Sequence, residues 1–284
     1  VLPLRAARLL LVAHALLGCV PDTWVTVSPR DAGAETSVAD DAAVGVEVGA
    51  CPAGSRACDD LCVAAPTTLY RAEDDARDAI GEQHAVRDTA LYAAGRIGRA
   101  FSFGGARAPR HVELPAAVGN FGTGDFSIAL WFNTTNRTVN SSMLARRAAC
   151  WGAPGFAGLD LRIAYNGRLF LEVWTTSSEF SVGSLPGYND GEWHHVAIVR
   201  EGGELHLAVD GAVVGSVGIA GSMTDPRRTP TYLGVGRCVE GAPGSNGSHD
   251  ETAWFEGRID EVGYFDRALT AQELDDASQG RCSP

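Results

Sequence analysis

The sequence predicts an all-β protein: an antiparallel β-sandwich or jelly roll that ends in one short C-terminal helix. Three observations carry this. From about Leu69 onward, short apolar runs alternate with turn residues. Two of the breaks, Asn166-Gly167 and Asp210-Gly211, are two-residue hairpin turns whose residues tolerate positive φ. A single capping box, Thr270-Ala-Gln-Glu273, opens the one helical stretch, ALTAQELDDAS.

The elements follow in chain order. RAFSF (99–103) and HVELP (111–115) come first. Gly124-Asp125 is a turn that opens the buried strand FSIALWF (126–132). SMLARRA (142–148) is next, and LDLRIAY (159–165) and RLFLEVW (168–174) flank the Asn166-Gly167 turn. EFSVG (179–183) and WHHVAIVR (193–200) precede ELHLAVD (204–210) and AVVGSVG (212–218), which flank Asp210-Gly211. TYLGVG (231–236) and EGRIDEVGYF (256–265) complete the set. Strand residues alternate between faces, so His194 and His195 cannot converge on one metal. Trp193, His195, Ala197 and Val199 share one face, and His194, Val196, Ile198 and Arg200 share the other. Both faces are apolar at mid-strand, which marks a central strand and a structural histidine pair. Trp131, Trp174 and Trp193 lie in strands and read as core.

The first residues read as an address. Arg5 and Arg8 precede LLLVAHALLGC, a basic then apolar segment too short to span a bilayer. Residues 1–18 are thus expected to be a signal peptide. Leu16-Leu17-Gly18-Cys19 resembles the lipobox of bacterial lipoproteins, in which Cys19 would become the acylated N-terminus; an ordinary signal peptide is the alternative. Val20-Pro21 lacks the Asp that retains such proteins at the inner membrane, so an exported, outer-membrane location is expected. Residues 19–50 carry six acids and one base, Arg30, after Cys19, and read as a self-repelling tether. Residues 51–62 form a short Cys-rich segment, and 63–284 form the globular domain.

Net charge is -12, and all 23 basic residues are arginine. An acidic surface repels phosphate backbones, so nucleic acid is an unfavourable partner, and membrane contact is expected only through the N-terminal lipid. The absence of lysine removes P-loop and Schiff-base chemistry. The cysteines are Cys19, Cys51, Cys58, Cys62, Cys150, Cys238 and Cys282. Acylation of Cys19 leaves six, enough for three disulfides in an oxidising compartment. Zinc fits poorly, because the first three of those six lack a CxxC pair or a nearby histidine. Nothing in the sequence fixes an oligomeric state.

Four blocks, in order, resemble the laminin G-like members of the concanavalin A-like lectin/glucanase superfamily. They are YRAEDDARDAIGEQHAV, GRIGRAFSFGG, GTGDFSIALWFNTT, and DGEWHHVAIVR followed by LAVDG and GRIDEVGYFDRALTAQEL. The chain departs from the family at Gly104, where Asp is common, and at Leu69-Tyr70, where a Trp pair is common. The resemblance implies a jelly roll from about Leu69 to Cys282. It implies a structural Ca²⁺ held by Asp78 and Asp260, with carbonyls near Gly81 and His84 completing the shell. The alternative is that Asp78 caps a turn and Asp260 pairs with an arginine. It also implies cysteines joined at both ends of the domain, hence the pairs Cys62–Cys282, Cys51–Cys58 and Cys150–Cys238.

The same fold hosts glucanases, but no strand carries their Glu-x-Asp-x-x-Glu pattern, and no GxSxG or HExxH is present. The chain therefore reads as a recognition domain without catalysis. Its ligand would be a carbohydrate or, alternatively, a cell-surface protein. Two loops supply candidate contacts: CWGAPGFAG (150–158) with Trp151 and Phe156, and CVEGAPGSNGSHDETAWF (238–255) with Trp254. A disulfide between Cys150 and Cys238 would join them into one rim.

Overall fold

The structure is a computed structural model. It describes residues 55–58, 61–148, 157–237 and 253–280, and the side chains from residue 65 onward. The signal segment, Cys19, Cys51, Cys150, Trp151, Phe156, Cys238 and Cys282 lie outside the described residues. Val46–Pro284 forms one compact unit.

Two sheets make the sandwich. The first has seven strands: Glu179–Gly183, Leu169–Trp174, Gly158–Ile163, Ser141–Arg147, Thr231–Leu233, Val112–Leu114 and Arg87–Asp88, from edge to edge. The second runs Ala212–Gly218, Glu204–Val209, Trp193–Glu201, Phe126–Asn133, Glu256–Phe265, Arg99–Gly104 and Leu91–Ala94, and Thr68–Tyr70 also pairs with Glu256–Phe265. Among the described residues the strand pairings of both sheets are antiparallel. Two small hairpins flank them, Ser55–Cys58 with Leu61–Ala64 and Val235–Gly236 with Ala253–Trp254.

Alternation explains the core. Leu159, Leu161, Leu171, Val173 and Leu233 point inward from the first sheet and meet Phe101, Ile128, Leu130, Val196, Ile198 and Leu207 from the second. Trp193–Glu201 is central, as expected. Its Ala197 and Val199 face the opposite way and join Ala129 and Phe265 beneath Leu269 and Leu274. The helix Ala271–Ser278, capped by Thr270 and Glu273 as expected, therefore covers the outer face of the second sheet. His194 and His195 do sit on opposite faces: His195 lies over Trp131 at 5.2 Å, and His194 meets Tyr188 and Phe132.

Two readings need correction. Trp174 is not core. It stands half-buried on the outer face of the first sheet, with the Arg147 guanidinium 5.9 Å from its ring. Trp193 is also only half-buried, covered by Arg258 at 5.1 Å. TYLGVG is not one strand either: it breaks at Gly234, whose φ of +83° excludes a β residue and where a Cβ would meet Phe103.

Candidate functional site

Antiparallel pairing sends alternate connections to opposite ends of the sandwich. The connections after Gly104, Asn133, Ile163, Gly183 and Gly236 share one end; those after Leu114, Arg147, Trp174 and Gly218 share the other. The described stems of the two long loops stand at opposite ends of the sandwich, and the loop residues themselves, Trp151 and Phe156 among them, lie outside the described residues. The stem of the first leaves Arg147, paired with Gly158. The stem of the second leaves Gly236, where a Cβ would collide with Ser142 Oγ. Ser142 and Arg147 lie on one strand, five steps or roughly 17 Å apart. Cys150 and Cys238 lie outside the described residues, so their pairing is not described. Cys58 and Cys62 lie on paired strands, opposite Leu61 and Ala57 respectively.

At the end shared by Gly104 and Asn133 there is a cleft of about 390 Å³. The short 3₁₀ turn Gly105–Arg107, the connection Thr135–Val139, Trp254 and Glu256 line it. Trp254 is the one expected contact residue that can be placed, and it is half-buried in this wall. Its ring lies 6.2 Å from His111, which meets Tyr232 edge-on at 5.7 Å. Asn136 is buried. Its Oδ1 accepts from Thr138 N at 2.9 Å and Thr138 Oγ1 at 2.8 Å, which fixes the amide orientation. Its Nδ2 is then a buried donor with no partner among the described residues. Arg107 and Arg137 line the same cleft and are exposed.

From the cleft the outer face of the first sheet carries a polar row. Glu113, Tyr232, Ala145, Asp160, Glu172 and Ser181 stand opposite one another in successive strands. Asp160 and Glu172 form a carboxylate pair that invites comparison with a glycosidase. Arg162 occupies both: it lies 2.7 Å from Asp160 and 3.1 Å from Glu172. Burial raises the Glu172 carboxyl while Arg162 opposes it. Sequence reasoning missed Asp160, Arg162 and Glu172, although their alternation across the Asn166-Gly167 hairpin was a usable signal. It also missed Asn136, Arg107 and Arg137, which no spacing links to Trp254.

The histidine motif is a brace. His194 Nδ1 lies 2.8 Å from Asp210 and Nε2 lies 3.1 Å from Asp190. Both ring nitrogens are occupied by carboxylates, so neither remains for a metal or a substrate proton. The hydrogen bond to Asp210 raises the His194 pKa above its ordinary value, with Asp190 adding to it against burial.

Asp78 and Asp260 do not fit the Ca²⁺ expected of them. Asp78 Oδ1 accepts from Leu69 N and Ile80 N, and Oδ2 from Gln83 N. Amide hydrogens already surround this carboxylate, so it caps the turn that follows it. Asp260 Oδ2 accepts from Arg96 N at 2.8 Å and Ile97 N at 3.0 Å, while Oδ1 is buried without a partner. Its donors are backbone amides, not the arginine side chain that the alternative reading named. Desolvation and the neighbouring Glu261 push its pKa up to about 7, so a proton suits the second oxygen. Among the described residues no group of three His, Cys, Asp or Glu side chains could hold a metal.

This arrangement, a braced two-sheet sandwich with a polar and aromatic cleft at one end, defines a binding module. A family model described as the concanavalin A-like lectin/glucanases superfamily matches residues 107–275, and the chain belongs to that superfamily. No curated protein matches the sequence. Among solved structures, it is similar to domain 4 of AbnA, a GH43 extracellular arabinanase from Geobacillus stearothermophilus, in complex with arabinotriose. That likeness has a TM-score of 0.58 at 19% identity and covers 76% of this chain and 100% of that one. It is also similar to the binding domain of botulinum neurotoxin DC in complex with rat synaptotagmin II, with a TM-score of 0.55 at 11% identity over 76% of this chain and 51% of that one. The same toxin domain in complex with SialylT gives a TM-score of 0.51 at 12% identity over 75% and 50%. The chain thus spans about half of the toxin domains, and at these identities the likeness is one of fold.

Proposed function

We propose that this chain is a non-catalytic recognition domain that binds carbohydrate in the cleft beside Trp254. One observation carries the reading: a half-exposed indole, Trp254, and the buried Asn136, whose Nδ2 has no partner among the described residues, line the same polar cavity. A sugar offers an apolar C–H face to the first and hydroxyl oxygens to the second. The arabinotriose complex of AbnA domain 4 and the SialylT complex of the toxin domain support this class of ligand. Catalysis is disfavoured because Arg162 ties up the one opposed carboxylate pair described above. A glycan array probed with the chain and with Trp254→Ala tests the reading. Binding to at least one glycan is expected, weakened about tenfold by the substitution, the equivalent of about 1.4 kcal/mol. Silence across the array, or a variant that binds as well as the parent, would sink the carbohydrate reading.

We also propose, from the sequence, that the protein is exported and anchored through acylated Cys19, since several acyl chains hold a protein firmly to a membrane. Metabolic labelling with a radioactive fatty acid is expected to mark the protein and not Cys19→Ser. Native protein recovered in the medium without detergent counts against the anchor.

A further inference from the structure

The end of the sandwich that holds the cleft also turns three large apolar side chains to solvent. Val139 is 50% exposed, Tyr165 59% and Leu185 79%. They stand on three separate connections, those after Asn133, Ile163 and Gly183. These connections are tied together. Asn189, itself buried, donates from Nδ2 to Asn136 O at 2.9 Å and to Tyr165 O at 3.0 Å. Tyr165 N donates to Asn140 Oδ1 at 3.2 Å, and Gly187 N donates to Asn166 O at 3.1 Å. A rigid frame thus holds apolar tips in water, which marks a surface for a partner.

Three exposed arginines stand close to the tips. Arg137 lies two residues before Val139, Arg168 three after Tyr165, and Arg107 lines the cleft beside Val139. All three are exposed, and none makes an ion pair among the described residues. Asp190 and Asp210 of this end are turned to His194, while Glu192 and Glu256, the latter in the cleft wall, are exposed acids among the arginines.

We propose that this end of the domain docks on an anionic phospholipid bilayer. Val139, Tyr165 and Leu185 enter the boundary between headgroups and acyl chains, and Arg137 and Arg168 lie at phosphate depth. Separate convex tips favour lipid over a folded protein, which would need a matching pocket for each tip. A bilayer closes around any projection, and the amphipathic Tyr ring suits its interface. The net charge of -12 opposed membrane contact at the level of the whole chain. Charges farther away than about 8–10 Å are largely screened at physiological salt, so the local arginines decide which face can approach. The inference does not require a sugar in the cleft.

Co-sedimentation with vesicles tests it, using the full chain with Cys19→Ser so that no acyl chain contributes. Binding is expected to vesicles of mixed phosphatidylcholine and phosphatidylglycerol, and to be weaker on phosphatidylcholine alone. Tyr165→Asp with Leu185→Asp, both at exposed positions, should reduce partitioning about tenfold or more while leaving the thermal midpoint in place. Arg137→Gln with Arg168→Gln should remove the preference for the anionic vesicles and most of the salt dependence. No sedimentation with either vesicle, or binding that survives the two Asp substitutions, overturns the proposal. The carbohydrate reading is tested separately: Trp254→Ala is expected to leave vesicle binding unchanged, and a silent glycan array with intact vesicle binding defeats that reading alone.

Discussion

Replacing Arg146 by Met is expected to lower the midpoint of thermal unfolding by roughly 10 °C, the largest loss from any single side chain discussed here. Arg146 is 1% exposed. It lies on the strand Ser141–Arg147, and its guanidinium reaches the connections at the end opposite the cleft. It donates from Nε to Thr229 O at 3.2 Å and from its terminal nitrogens to Gly119 O and Ala116 O. Asp225 lies 3.8 Å away and is fully buried as a side chain. Asp225 in turn accepts from Arg227 N and Thr229 N, and its own N donates to Asn120 Oδ1. One cation thus joins two connections that are more than a hundred residues apart in the chain. Methionine fills the volume but leaves three carbonyls and a carboxylate without their donor. Breaking a buried pair from one side costs about 3–5 kcal/mol. In a domain of this size each kcal/mol moves the midpoint by about 2–4 °C. Calorimetry of Arg146→Met checks the loss. The double variant with Asp225→Asn should recover part of it, because the uncompensated charge is gone. A loss below about 1 kcal/mol would mean that water replaces the guanidinium and that the clamp is not structural.

Arg146 also shows what could be read in the sequence. The run SMLARRA was legible as a strand, because short apolar runs between turn residues give strands away. The same logic placed His194 and His195 on opposite faces, and the hairpin turns agree: φ is +50° at Asp210 and positive at Gly167 and Gly211. The Thr270–Glu273 box was legible because its two hydrogen bonds are local. Other features depend on which face meets water, and alternation alone cannot supply that. Trp174 shares its face with Phe170 and Glu172, and only the packing of the two sheets shows that this face is the outer one. The edge strands Arg87–Asp88 and Leu91–Ala94 escaped notice because both are short and exposed or half-exposed. The cleft draws on residues near 106, 137 and 254, whose proximity arises only from the order of strands.

Stability between pH 4.5 and 7.5 is expected to be nearly flat in this protein and steep, in opposite directions, in two variants. His195 is 2% exposed and lies against Trp131. Burial lowers its pKa from 6.5 to about 4, although the Asp210 charge opposes the shift. The folded state therefore binds fewer protons than the unfolded chain between about 4 and 6.5. Its contribution is complete above 6.5 and is lost as the pH falls toward 4. Asp260 behaves in the opposite sense. It is fully buried, and its pKa rises from 3.8 to about 7. The folded state binds more protons here, so stability is greatest below 3.8 and is lost as the pH rises through 7. Each effect is on the order of 3 kcal/mol over this interval, from 1.36 kcal/mol per pKa unit. His194 enters only at the top of the window: its raised pKa means that the stability it adds is complete below 6.5 and is lost as the pH rises above that value, in parent and variants alike. His195→Phe keeps an aromatic ring against Trp131 and removes the proton, so that variant should become more stable as the pH falls from 7.5 to 4.5. Asp260→Asn keeps an oxygen for Arg96 N and Ile97 N and removes the charge, so that variant should become less stable over the same change. Urea midpoints at the two pH values, compared within each variant, separate these slopes from any packing cost that is independent of pH. Two variants whose midpoints move in the same direction would show that at least one of the two buried groups does not titrate in the sense assigned to it.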